Sequence, residues 1–308
     1  KFVGPQGERF RHGESVDHSI DYCSSCGACT LACPQGVEIA ELNSIARAAM
    51  KHEDGMPLRD QLISRTTVMG TLMTPVAPVA NAALKNKAVR VVMEKVVGVH
   101  RDAPMPVAKT QTLRGWLKKR KRTAKPATRG AVVYFHGCAG GYFEVETSKQ
   151  AIEVLEHLGY EVIMPKQGCC GLAEQSNGLF KAASASVRKL AAQLRSGGED
   201  LTIISSSGSC VGMLKHEARL ILGVDDEELA DVGTRVRDIC EFLRELHDRG
   251  EFPVEELRPI EMRLPYHAPC QLKSQGMGLP AVEVLGMIPG LEVVESGATC
   301  CGIAGTYG

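Results

Sequence analysis

The chain has 308 residues, 44% of them hydrophobic, which is enough to bury one large core or two ordinary ones and excludes a disordered chain. Lysine plus arginine and aspartate plus glutamate balance at 36 each, so bulk charge argues against nucleic acid as the partner. Twelve cysteines without a secretory signal favour a reducing compartment, the cytoplasm, and thiolates held by metal rather than oxidised bridges.

In chain order, the first feature is Tyr22-Cys23-Ser24-Ser25-Cys26-Gly27-Ala28-Cys29-Thr30-Leu31-Ala32-Cys33-Pro34. Thiols separated by two, two and three residues and closed by proline read as iron–sulfur ligation. Cys23, Cys26 and Cys29 can turn their sulfurs onto one cluster, while Cys33, before Pro34, typically reaches a different one. A disulfide scaffold is the alternative, and spacings this short and regular suit it less well. Behind the motif, Ile39, Leu42, Ile45, Ala46 and Ala49 recur at helical spacing, predicting an amphipathic helix packed on the cluster loop by its apolar side.

Residues 57–128 read as a helical, basic linker. No charge interrupts Thr66 to Leu84, yet Gly70, Pro75 and Pro78 break the run, so a segment lying on a surface is expected rather than one spanning a bilayer. Ala83 to Val97 alternates Leu84, Ala88, Val91, Val92 and Val96 with Lys85, Lys87, Arg90 and Lys95, as in a basic amphipathic helix. Ala103 to Phe143 contains no acid, and Arg114, Lys118, Lys119, Arg120, Lys121, Arg122, Lys125 and Arg129 cluster around Trp116. Over 83–129 this predicts either attraction to anionic lipid headgroups or a solvated linker.

From Gly130 strands and helices alternate, predicting parallel sheets flanked by helices. Strands are expected at Ala131 to Phe135, Tyr160 to Met164 and Leu201 to Ser205, and helices at Ser148 to Leu158 and Leu179 to Leu194. Each strand is followed by a cysteine loop, with Cys138, then Cys169 and Cys170, then Cys210. Loops at the carboxyl ends of parallel strands share one sheet edge, where open α/β sheets hold their sites. Cys240 reads as a core residue on a helix with Val236, Phe242 and Leu243. The pattern then restarts. A strand at Arg263 to His267 leads to Cys270, a helix is expected over Ala281 to Met287, and a strand at Leu291 to Val294 leads to Cys300 and Cys301. Cys-Cys-Gly-Leu-Ala at 169–173 and Cys-Cys-Gly-Ile-Ala at 300–304 set the register of an internal duplication. The four thiols of the first copy could hold a tetrahedral zinc as well as a cluster, with plain structural thiols as the alternative. His136 and His267 are candidate proton carriers or donors behind the sulfurs, or ordinary strand-end histidines.

On Gly4 to Arg11, Tyr22 to Pro34, Phe135-His136-Gly137-Cys138 and Cys300 to Gly308, the chain resembles the cysteine-rich CCG-domain family. That family includes heterodisulfide reductase subunits and the iron–sulfur subunits of glycolate, lactate and glycerol-3-phosphate oxidising systems. The resemblance is greatest to the C-subunit family of anaerobic glycerol-3-phosphate dehydrogenases. It implies a small all-α ferredoxin-like domain over 1–56, the linker over 57–128, and two α/β CCG domains over 129–258 and 259–308, an α+β chain overall. It also implies [4Fe–4S] ligands at Cys23, Cys26, Cys29 and Cys33, and a further cluster or zinc on Cys138, Cys169, Cys170, Cys210, Cys270, Cys300 and Cys301. Members carry a second cluster motif before the first and a final Cys-x-x-Cys after the last. The chain begins at Lys1 and stops at Gly308 directly after a cysteine motif, so both ends are expected to continue. No complete G-x-G-x-x-G fingerprint opens a βαβ unit, so no flavin or nicotinamide is expected on this chain. The implied role is electron transfer from a flavoprotein glycerol-3-phosphate dehydrogenase to a membrane quinone, on the inner face of the cytoplasmic membrane. Two rivals are a heterodisulfide-reductase-like thiol chemistry at the CCG site and a zinc-stapled anchor without a redox role.

Overall fold

The computed structural model describes residues 23, 25, 27–120 and 127–298. Its centre is a four-stranded parallel sheet of β1 (Ala131–Phe135), β2 (Glu161–Ile163), β3 (Ile203–Ser205) and β4 (Val236–Asp238), in the order β2-β1-β3-β4. Parallel neighbours require crossovers, and helices Val145–His157 and Phe180–Arg195 supply them. β1 is apolar throughout because it is covered on both faces. Val133 and Phe135 pack with Val187, Leu190 and Ile203 on one side, while Val132 and Tyr134 pack with Ile152, Leu155 and Ile204 on the other.

The expected strands and crossover helices form with small shifts at their ends. Strand β4 departs from expectation: Val236 belongs to it and not to the helix bearing Cys240. Asp238 divides the two, since its carboxylate accepts the Cys240 N–H while Glu241 reaches back to the Asp238 N–H, a capping box that starts Ile239–Asp248.

A second parallel pair, β5 (Met262–Tyr266) and β6 (Leu291–Glu295), aligns Met262 with Leu291 and Tyr266 with Glu295. Helix Pro280–Gly286 lies between them in sequence. The short helix Cys270–Lys273 packs against Gly208–Gly212, where Leu272 fills the space a Cβ on Gly208 would need and Gln275 donates to the Gly208 carbonyl at 2.9 Å.

The helical linker also differs from its expected form. The stretch Thr66–Lys85 is helical throughout, long and apolar enough by composition to cross a membrane. It is built as Thr66–Met73, a 3₁₀ turn Thr74–Val76 and Ala77–Lys85, with a proline in the first turn of each of the last two. The single helix expected from 83 to 97 is two. Asn86 ends the first and caps Lys87–Val97, its side-chain oxygen accepting from the N–H groups of Ala88 and Val89. Arg90, expected on the basic face, is 5% exposed and donates to the carbonyls of His100, Arg101 and Ala103.

Candidate metal centre

The loops after β1, β2 and β3 bring Cys138, Cys169, Cys170 and Cys210 to the carboxyl edge of the main sheet. Cys170 lies 3.3 Å from Cys210, sulfur to sulfur, and both are buried. The Gly171 N–H points at the Cys169 sulfur at 3.4 Å, and the Ser207 hydroxyl donates to Cys210 at 3.3 Å. Gly171 sits at φ +85°, where a Cβ would stand 2.8 Å from the Ala183 carbonyl oxygen, so glycine lets the chain turn directly after the paired thiols. Gly137 lets Cys210 approach in the same way, at 3.2 Å from its Cβ position.

Two sulfurs of the four are favoured as thiolates. Hydrogen bonds from Cys138 and Cys170 hold Cys169 well below the usual thiol range, helped by the Gly171 N–H. Cys170 does the same for Cys210, assisted by Ser207. The donors move the other way: Cys138 is raised by Cys169 and by burial, and Cys170 by Cys169, Cys210 and burial. The Thr66 hydroxyl, at the start of helix Thr66–Met73, is buried near Cys138 and Cys169 and makes no hydrogen bond of its own. That helix is seated on the segment after Cys138, with Gly70 against the Tyr142 ring, where a Cβ would lie 2.5 Å from Cγ.

This donor set fits a thiophilic metal in chemistry, because four sulfurs, the soft donors that zinc and iron take as thiolates, come from three neighbouring loops. Among the described residues no three such side chains already surround a common metal position. Tetrahedral zinc–sulfur bonds of about 2.3 Å would set the sulfurs roughly 3.8 Å apart. The 3.3 Å contact of Cys170 and Cys210 is a thiol–thiolate hydrogen bond, so these two would move outward to take a metal between them.

At the first cysteine motif, Cys23, Cys29 and Cys33 are half-buried, and Cys26 lies outside the described residues. Cys29 sits on the short helix Ala28–Ala32, which Gly27 starts in the left-handed conformation, φ 73°. Helix Ile39–Asp54 backs this loop as expected, but by its small and polar side. Ser44 pairs with Ser25 at 2.7 Å, Glu41 accepts from Thr30 at 2.8 Å, Asn43 approaches the Cys23 sulfur at 3.8 Å, and Arg47 donates to the Cys23 carbonyl. Leu42 and Ile45, expected inside, are 50% and 43% exposed, because the loop offers backbone carbonyls and hydroxyls rather than apolar surface.

Arg47 also donates to the Ser176 carbonyl at 3.0 Å, at the end of the helix that follows Cys169 and Cys170. Gln271, next to Cys270, donates to the Ser25 carbonyl at 3.2 Å, and Gly27 passes so close to Ser274 that a Cβ would meet it at 2.6 Å. The cluster loop therefore lies at the junction of both sheets. Cys270 is half-buried, while Cys300 and Cys301 lie outside the described residues.

His136 is 7% exposed, and burial lowers its pKa. Its Nδ1 meets the Gly137 carbonyl, so the neutral ring donates there and not to a sulfur. His267 stands 3.4 Å from the Ser296 hydroxyl. Cys240 is half-buried, its thiol pushed up to about 12 by burial and by the Asp238 charge. Thr66 and Ser207 complete the surroundings of the thiols. Ser207 stands three residues before Cys210 and could have been read as a local donor, whereas Thr66 comes from a distant segment without a sequence signal.

Several basic residues expected at a lipid surface are used inside the fold. Arg114 donates to the Pro165 carbonyl at 2.7 Å, and Arg120 pairs with Glu156 and stacks 4.5 Å over Trp116, whereas Arg129 stays exposed and donates to the Glu251 carbonyl at the surface. Lys121, Arg122 and Lys125 lie outside the described residues.

The model of the cysteine-rich domain family CCG matches residues 132–215, the part that carries the four thiols. Over its whole length the chain is 33% identical to the C-subunit of the anaerobic glycerol-3-phosphate dehydrogenase of Escherichia coli (strain K12), covering 77% of that protein. It is 27% identical to lactate utilization protein A 1 of Bacillus mycoides over 57% of this chain and 72% of the relative. It is 32% identical to the B-subunit of the fumarate reductase (CoM/CoB) of Methanothermobacter marburgensis over 56% of this chain and 32% of the relative. No solved structure matches.

Proposed function

Because the chain belongs to the C-subunit family of anaerobic glycerol-3-phosphate dehydrogenases, we propose that it is the iron–sulfur electron-transfer subunit of such a complex, receiving electrons from a flavoprotein partner and passing them to a membrane quinone. Four thiols meeting from three strand-end loops carry this reading, because Cys138, Cys169, Cys170 and Cys210 offer the soft sulfur donors that iron and zinc take. Iron–sulfur clusters, when bound, supply one-electron steps that a flavin partner and a quinone both accept.

The chain's own residues would do the rest. Cys23, Cys26 and Cys29 would hold one [4Fe–4S] cluster, with Cys33 ligating a neighbour. Cys138, Cys169, Cys170 and Cys210 would hold a further cluster or zinc, with Cys270, Cys300 and Cys301 doing so in a second copy. The Gly171 N–H and the Ser207 hydroxyl would donate to the sulfurs and set their charge. Arg47 would fix the spacing between the ferredoxin-like segment, 1–56, and the first CCG domain, 129–258. The second CCG domain, 259–308, would close over the same junction through Gln271.

Membrane contact would come from the linker, 57–128. Val68, Leu72, Val76 and Val79 form one exposed apolar stripe at helical spacing, and Val92 and Val96 continue on the next helix. Lys85, Lys87 and Lys95 are exposed beside them.

Metal analysis tests the reading. The chain, extended to its natural ends and purified without oxygen, should contain iron and sulfide and show reducible clusters by electron paramagnetic resonance. Cys26→Ser should abolish a different signal from Cys33→Ser. Zinc alone, with no reducible centre, would end the electron-transfer reading in favour of a stapled anchor. The direct Cys170–Cys210 contact keeps thiol chemistry of the heterodisulfide reductase kind as a second reading, which turnover of a disulfide without the flavoprotein would favour.

A further inference from the structure

A cavity of about 660 Å³ opens beside the thiol centre, and neither thiol ligation nor the packing of the linker requires it. Cys138, Ala139 and Phe143, from the segment after β1, form part of its wall, and Thr66 and Met69 face it from helix Thr66–Met73. The chain from Gly98 to Pro106 closes the other side with Val99, Met105 and two prolines. The lining is largely apolar, broken by Arg59, His100, Asp102 and the Thr66 hydroxyl. Its size and its few polar groups set in apolar walls suit a small planar ligand, and methionines and a phenylalanine suit a ring.

Two further observations narrow the ligand. One wall residue, Cys138, belongs to the four-thiol centre, so a molecule here lies against the redox site itself. The helix that contributes Thr66 and Met69 also carries Val68 and Leu72, 53% and 69% exposed, so an apolar surface adjoins the cavity wall. A lipophilic molecule can arrive there without crossing water.

We propose that this cavity is the acceptor site, and that its ligand is a lipophilic quinone whose ring lies between Phe143, Met69 and Met105. The assignment rests on the electron-transfer reading. Arg59, His100 and the Thr66 hydroxyl are the donors available to the quinone oxygens, and the apolar exit beside Leu72 accommodates the tail. Reduction takes two electrons, delivered singly past Cys138 and originating in the reduced flavin of the partner dehydrogenase. It also takes two protons, and converts both C=O groups to O–H with aromatisation of the ring. His100 is placed to relay those protons. Its side chain is 66% exposed, and its Nδ1 accepts the Asp102 N–H at 3.2 Å, which leaves the Nε2 proton of the neutral ring free to exchange. Glu94, 3.5 Å from Nε2, and Asp102 flank the ring on the solvent side.

Photolabelling of the full, cluster-loaded chain with an azido-naphthoquinone tests the site directly. Adducts are expected within 59–69, 98–106 or 138–143, and competition by menadione should remove them. Adducts confined to other segments, or none at all, would overturn the assignment. In a second measurement the reduced chain is reoxidised by menadione or by ferricyanide. Met105→Trp and Val99→Phe, which fill the cavity, should lower the ratio of the menadione rate to the ferricyanide rate about tenfold; an unchanged ratio in both variants would also overturn it. A chain that takes the label yet holds no reducible centre would keep the site and sink the electron-transfer reading instead.

Discussion

Gly171 concentrates two requirements in one residue, a left-handed turn and a carbonyl oxygen only 2.8 Å from where a side chain would begin. Gly171→Ala should cost about 1–2 kcal/mol for the backbone alone, more once Ala183 is displaced, and should lower bound metal per chain along with the melting temperature. The Cys-Cys-Gly sequence announces that turn; the obstruction by Ala183 does not show in it. Glu217 is a different case, since nothing in its sequence neighbourhood marks it. Burial, and the Glu41 charge facing it, raise its carboxyl from 4.5 to about 7. The folded state therefore holds a proton that the unfolded state has lost, so this contribution is intact below about pH 4.5 and fades as the pH rises through 7. At 1.36 kcal/mol per pH unit the full effect is on the order of 3 kcal/mol. Glu217→Gln should flatten the fall in stability between pH 5 and pH 8, measured by urea unfolding at each pH.

At the scale of elements, helical periodicity predicts that the linker is amphipathic, but does not say which residues of it reach solvent. Arg90, Arg114 and Arg120 carry the same charge as Lys85, Lys87 and Lys95, yet each finds carbonyls or a carboxylate inside the fold, as the planar guanidinium is suited to do. The surface left for a bilayer is more apolar and less basic than composition suggests. Leu72→Glu combined with Val79→Glu should reduce co-sedimentation with phosphatidylglycerol vesicles several-fold, and added salt should weaken the binding of the unaltered chain only in part. Equal binding by the variant would remove this face from consideration.

Across the whole molecule, Arg47 ties the first cysteine loop to the helix behind Cys169 and Cys170 while only 5% exposed. Arg47→Ala would leave two half-buried carbonyls short of a charged donor and should cost on the order of 1–2 kcal/mol. Urea unfolding should then show the cluster segment separating before the main sheet. Spacing alone located the strands that precede the thiol loops of the main sheet and the parallel pair after Glu261, because apolar runs are local properties of a chain. Which face of helix Ile39–Asp54 is buried, which arginines are consumed internally, how Thr66 comes to lie beside the thiols, and that a largely apolar cavity ends at Cys138 were decided only in three dimensions. Each depends on a partner distant in sequence, and a one-dimensional pattern records the chemistry a residue can offer but not the group that comes to meet it.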